Sequence, residues 1–259
     1  MKAFNPTQSR EALDGDVGYR WTLSRNFEEA RNMRGLASSA GAFLNMAVKC
    51  LLVGYDDAAS QLSKRAFEWL TVAIKEKERP RAYGEYGTEA QWHRDLAMCN
   101  WLLHAVHDVE NLKRYVEYED RFLMGSKIGR DKTNVSLALL GYVDAGAYQQ
   151  ALERFANAGL QVPESLDSIR SEGQLCYVIC RHRLRQEYLE ADVKAAAEKF
   201  LKRSVNGWLV DGHFLRAAQW MKVVHWREGN VGLSPKGAVL KCYEYVSDVT
   251  PPTPTKPGP

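Results

Sequence analysis

Apolar residues recur at steps of three and four along most of this chain, and the segments they mark are separated by very short polar turns. Met33, Ala37, Ala40, Leu44, Ala47 and Leu51 fall on one face of a helix over about residues 27–53, because 3.6 residues make one turn. Gly54 and Tyr55 break the pattern, and Asp56 or Asp57 is placed to cap the next helix by accepting from its free N–H groups. That helix carries Ala59, Leu62, Ala66, Trp69 and Ala73 and runs out near Arg79 and Pro80. Two helices joined by so short a turn must lie antiparallel, as a hairpin.

The pattern repeats down the chain. Trp92, Leu96, Cys99, Leu103 and Val106 mark a third helix, and Val109, Leu112, Val116 and Leu123 mark a fourth or a bent continuation of the third. A loop from Gly125 to Lys132 precedes helices expected at about 133–145, 147–158, 168–184, 188–203, 212–227 and 235–247. Almost no segment alternates with the period of two that strands require. The expected fold is therefore all-α, an irregular, helical-repeat-like stack of antiparallel hairpins. Residues 1–25 read as an N-terminal extension anchored by Trp21 and Leu23, residues 26–248 as a single all-helical domain, and residues 249–259 as a disordered proline-rich tail.

Composition narrows the function classes. The net charge of +3, from 35 basic and 32 acidic residues, lacks the excess that marks a nucleic-acid binder. No run approaches the roughly 20 apolar residues of a membrane span, and Met1–Arg20 carries Glu11, Asp14 and Asp16 in place of a signal-peptide core. The cysteine count of five is odd in a chain this long, which points to free thiols and a cytoplasmic setting.

Four groups of residues invite a chemical reading. His104 and His107 stand three apart and could share a helix face, but no second pair completes a zinc site. Cys176 and Cys180 are also one turn apart, among Leu175, Val178 and Ile179, which suits core packing better than metal or nucleophile. Glu117, Glu119 and Asp120 beside Tyr115 and Tyr118 form an acidic, aromatic helix face, of which a solvated surface is the usual explanation, with partner binding or, if one carboxylate is desolvated, acid–base chemistry as the alternatives. The segment from Arg79 through Gly87 reads as a loop rich in arginine, tyrosine and glycine, with Arg79, Arg81, Tyr83 and Tyr86 of the residue types that dominate interface energetics. No phosphate-binding loop, dinucleotide fingerprint, nucleophile elbow or H-E-x-x-H motif is present.

One stretch, ALLGYVDAGAYQQALERFANAGLQVP from Ala138 to Pro163, resembles a tetratricopeptide-type hairpin. Tyr142 falls on its first helix, Gly146 and Tyr148 at the turn, and Ala151, Phe155 and Ala158 on the second. Val135 and Leu139 stand where that repeat carries tryptophan and glycine, and Gly54-Tyr55-Asp56-Asp57-Ala58-Ala59 is a fainter echo. In size, helical content and want of a catalytic motif the whole chain is similar to the all-helical immunity proteins of bacterial polymorphic toxin systems. That resemblance implies non-catalytic binding and neutralisation of a cognate toxin domain. The partner expected is thus another protein, with neither nucleic acid nor membrane, and no cofactor or metal is expected. A helical enzyme using the carboxylates or histidines, and a helical adaptor or chaperone, are the competing expectations. No feature specifies an oligomeric state.

Overall fold

The computed structural model describes residues 4–15, 33–75, 85–125, 130–225 and 233–246. Those residues form eleven α-helices and one short 3-10 turn, with no strand among them, and the helices pack as sequential antiparallel pairs. They are α1 (Pro6–Gly15), α2 (Met33–Leu52), α3 (Asp56–Lys75), α4 (Glu85–His104), α5 (Val109–Gly125) and α6 (Lys132–Asp144). Then follow α7 (Tyr148–Asn157), α8 (Glu172–Arg183), α9 (Glu190–Val210), α10 (Phe214–Val224) and α11 (Pro235–Glu244). No helix of the described residues is long and apolar enough to cross a membrane.

The chain divides into two compact units. The first takes in residues 1–78, 95–107 and 204–259, and is built on α2 and α3 with α10 and α11 packed against α2. Small residues line the α2–α3 pairing, with Ala40, Ala47, Ala59, Ala66 and Ala73 all buried and Phe43 set edge-on to Trp69 at 4.6 Å between ring centroids. Asn45 of α2 clamps the turn before α10: its amide donates to Gly212 O at 2.7 Å and its oxygen accepts from Leu215 N at 2.9 Å. It thereby satisfies a helix N-terminus that the local N-cap residue, His213, leaves uncapped. Tyr243 of α11 donates to Leu52 O at the end of α2.

The second unit comprises residues 79–94 and 108–203. Here α6 and α7 form a hairpin, α8 packs on both, and α5 packs on α6. The hairpin core contains Val135, Leu139, Tyr142, Ala151 and Phe155, all buried, with Phe155 against Tyr177 of α8 at 4.9 Å. Cys176 and Cys180 are buried within this packing as free thiols, and burial raises the Cys180 thiol pKa well above its ordinary value. They are core residues, as their apolar neighbours in the sequence suggest.

Three hairpin turns share one construction. Helices α2, α6 and α9 each end on a glycine at positive φ, namely Gly54 at 84°, Gly146 at 71° and Gly212 at 83°. In each, the glycine N–H and the next N–H fold back onto the last turn, as in Gly146 N to Val143 O and Ala147 N to Tyr142 O. This is the Schellman arrangement, which ends a helix by satisfying its last carbonyls. Five residues after each glycine stands a buried alanine, Ala59, Ala151 or Ala217, on the inner face of the following helix. The third of these hairpins has the same spacing as the two legible from the sequence.

Several boundaries differ from the sequence expectation. Helix α9 runs on to Val210 because Val205 and Leu209 continue the buried face begun by Val193, Ala197 and Leu201. The N-terminal extension contains a helix, α1, and Phe4 ahead of it is buried against Phe214 and Tyr243, with its N–H donating to Asn206 Oδ1 at 2.9 Å. Trp21, Leu23 and the tail 247–259 lie outside the described residues.

Candidate functional site

Helix α5 carries the site residues that the structure describes. Its periodicity sends Leu112, Tyr115, Val116 and Leu123 into the second unit and leaves Glu110, Lys113, Arg114, Glu117 and Arg121 in solvent. The acidic, aromatic face expected from the sequence is therefore split. Tyr115 is not on a surface at all: it is 2% exposed, its hydroxyl donates to Ala138 O at 3.0 Å, and its ring meets Tyr142 edge-on at 6.0 Å. A β-carbon on Gly141 of α6 would lie 2.4–2.6 Å from the Tyr115 ring, so only glycine admits that ring against the α6 backbone. Burial raises the Tyr115 phenol pKa well above its usual range, and the charge of Glu119 adds to the shift.

Asp120 also faces inward. One of its oxygens, Oδ1, accepts from the Tyr142 hydroxyl at 2.6 Å and from Arg154 Nε of α7 at 2.7 Å, so this carboxylate ties α5 to both helices of the next hairpin. Both members of the ion pair are largely shielded, at 24% and 12% side-chain exposure. Tyr142 is fully buried, and that burial together with its hydrogen bond to Asp120 raises its phenol pKa. Glu119 is partly buried one residue earlier, and desolvation lifts its carboxyl to about 7, against a downward pull from Arg94 and an upward push from Asp120.

The outer part of α5 is organised around Tyr118. Its ring lies parallel to the His93 imidazole of α4, with centroids 5.5 Å apart and 4° between planes, and the Arg121 guanidinium stands 5.6 Å from its centroid. Glu117 accepts from Arg121 at 2.6 Å and from Arg114 at 3.5 Å. His93 is itself held: Asp108 accepts the Asn111 backbone N–H at 3.1 Å and its side-chain amide at 2.8 Å, which turns Asn111 Oδ1 toward His93 Nδ1 at 2.8 Å. Because that Asn111 oxygen can only accept, His93 carries its proton on Nδ1 in this arrangement.

The remaining sequence candidates fall as follows. Arg79, Arg81 and Tyr83 lie outside the described residues, and Glu85, Tyr86 and Gly87 belong to the first turn of α4 and not to a loop, with the Tyr86 side chain outside the described set. His104 is the last residue of α4, and Ala105 follows at φ 53°, so His107 sits in the connection to α5 and the two histidines share no helix face. Among the described residues no group of three or more histidine, cysteine or carboxylate side chains could hold a metal ion. His93 and Asn111 were not legible in the sequence, because what defines them is a contact between two helices and not a spacing within one. Two further charged side chains, Asp95 and Lys222, are buried in the first unit, with the Lys222 ammonium 5.8 Å from the centroid of Trp101.

No family model, no curated protein and no solved structure matches this chain.

Proposed function

We propose that this chain works by tight, non-catalytic binding of another protein, and specifically as a cytoplasmic immunity protein that neutralises a cognate bacterial toxin domain. The observation that carries the binding reading is Tyr118. A partly buried aromatic ring, stacked on an imidazole that is itself fixed by Asn111 and Asp108, loses little freedom when a partner covers it. Arg121, Arg114 and Glu117 around it supply charged groups of the kind that orient a partner at an interface rim. Tyrosine and arginine are the residue types that most often dominate binding energy. The inward carboxylate Asp120 is spoken for by Tyr142 and Arg154, which gives it a structural task.

The test recovers the partner by pull-down with the full chain as bait and then measures affinity and thermal stability for each variant. Tyr118→Ala is expected to weaken binding by about 2 kcal/mol or more, roughly thirtyfold, while the melting temperature moves little. Full affinity in that variant removes Tyr118 from the interface. Recovery of many unrelated clients favours an adaptor or chaperone, and substrate turnover lost on changing Glu117 or His104 favours the enzyme.

A further inference from the structure

Three adjacent residues divide the work at the start of α1. Asn5 caps the helix: its side-chain oxygen accepts the Gln8 N–H at 3.1 Å and its carbonyl accepts the Ser9 N–H at 2.9 Å. Pro6 takes the first helical position, where a missing N–H leaves no bond unmade. Phe4 precedes the cap, at the position from which an apolar side chain commonly packs back onto the fourth residue of its own helix. That residue is Ser9, which offers no apolar partner. The Phe4 ring goes instead to the helices of the first unit. It is 3% exposed, and its centroid lies 6.1 Å from that of Phe214 at the start of α10 and 6.4 Å from that of Tyr243 in α11. Its backbone N–H donates to Asn206 Oδ1 of α9 at 2.9 Å. Further along, Arg10 reaches the α2–α3 turn, where its Nε donates to the Tyr55 hydroxyl at 3.0 Å and its guanidinium stands 4.7 Å from that ring's centroid.

Burial along this arm is selective. Phe4 and Pro6 are buried, Ser9 and Arg10 are half-buried, and Asn5, Thr7, Gln8 and Glu11 are exposed. Alternate side chains seated in the receiving surface, with a main-chain N–H bonded to it, is the way short peptides are recognised. The receiving walls are held independently of the arm. Asn45 of α2 clamps the turn that leads into Phe214, and the Tyr243 hydroxyl is bonded to Leu52 O. We infer that Asn206, Phe214 and Tyr243 form a binding site for a Phe-x-Pro segment, occupied in cis by residues 4–10 as a strap that docks and undocks without unfolding of the first unit. The two rings select an aromatic side chain through edge-on and tilted packing, and the Asn206 carboxamide fixes where the main chain lies. One ring, one proline, one main-chain hydrogen bond and the Arg10–Tyr55 tie are few interactions beside those that join α2, α3, α10 and α11. The strap therefore opens at a lower free energy than the unit. Undocking uncovers Phe214 and Tyr243 for a segment of the same chemistry on another chain. The site lies in the first unit and does not rest on the Tyr118 surface of the second.

The experiment uses the full chain carrying Phe4→Ala, which empties the site and leaves its walls intact, with a fluorescent peptide of residues 1–15 as probe. The peptide is expected to bind this variant at least about tenfold more tightly than the parent, where the tethered strap competes for the site. The same peptide with Phe4→Ala is expected to bind neither chain. Adding Asn206→Ala to the variant chain should weaken peptide binding about threefold or more, through the lost main-chain hydrogen bond. The inference is overturned if the variant chain binds no peptide up to about 1 mM, the concentration scale a tethered segment experiences. Equal binding of the two peptides overturns it as well. So does a Phe4→Ala chain without its helical signal, which would make Phe4 part of an indivisible core. A further measurement needs no variant: amide exchange in the parent should find the Phe4 and α1 amides at least about a hundredfold less protected than those of α10. Equal protection would show that the arm leaves only when the whole unit unfolds, and the strap reading would fail.

Discussion

Single residues decide how closely α5 approaches its neighbour. Gly141 sits in the middle of α6, where glycine costs roughly 1 kcal/mol in helix propensity relative to alanine. The offsetting gain is the Tyr115 ring lying on the backbone at that point, with its hydroxyl bonded to Ala138 O. Gly141→Ala therefore tests the packing against the propensity. Propensity alone would make it stabilising, but the added methyl would overlap a ring that is buried on every side. The expected result is a loss of about 1–3 kcal/mol, the usual range for overpacking a core, read as a lower denaturant midpoint with unchanged slope. A more stable protein would show that the α5–α6 contact is looser than described. The same logic makes Phe155 a core residue and not a surface one, since it fills the space between α7 and Tyr177 of α8.

At the scale of elements, helix ends carry the chain reversals. Gly54, Gly146 and Gly212 take the left-handed conformation that ends α2, α6 and α9, and at Gly146 and Gly212 a β-carbon would meet nothing within 4 Å. Helix α4 ends instead on Ala105 at φ 53°, and α8 on Arg185 at φ 55°, both in the same region without glycine's freedom. The left-handed region costs an L-residue about 1–2 kcal/mol. Ala105→Gly and Arg185→Gly are thus expected to raise stability by about 0.5–1 kcal/mol each, and Gly212→Ala to lower it by about 1 kcal/mol through the backbone alone. Thermal melts of the three variants check the opposite signs. If Ala105→Gly is destabilising, the end of α4 is not held in the conformation described.

For the molecule as a whole, the described packing is made from apolar helix faces and a few cross-helix polar links, among them Asn45 to the α9–α10 turn, Asp120 to the α6–α7 hairpin and Trp101 Nε1 to Leu233 O at 3.0 Å. All five cysteines are free and buried. Burial raises the thiols of Cys99, Cys180 and Cys242, the last to about 12, so they stay protonated and act as small hydrophobes. With the thiols protonated and the two histidines apart, the fold is expected to hold without metal. Far-UV circular dichroism and the melting temperature should be the same before and after exhaustive chelation, and a helical signal that collapses on chelation would point to a site outside the described residues.

The all-helical architecture, the hairpin order and the positions of most helices were legible in the sequence, because helix formation and the turns between helices depend on local periodicity and on glycine placement. The α6–α7 hairpin could be read almost residue by residue from Tyr142, Gly146, Ala151 and Phe155. Where a helix face met a second element, local pattern lost its authority. Tyr115 and Tyr118 are equally aromatic and three residues apart, yet one is sealed against Gly141 and the other is stacked on His93 near the surface. Their difference depends on where α4 and α6 lie, and no spacing within α5 contains that information. The same holds for Glu119 and Asp120, adjacent carboxylates of like intrinsic acidity. Asp120 is bonded to an arginine and a phenol from the next hairpin, while burial pushes the Glu119 carboxyl up to about 7 despite the opposing charge of Arg94, because desolvation and hydrogen bonding are properties of the assembled tertiary environment.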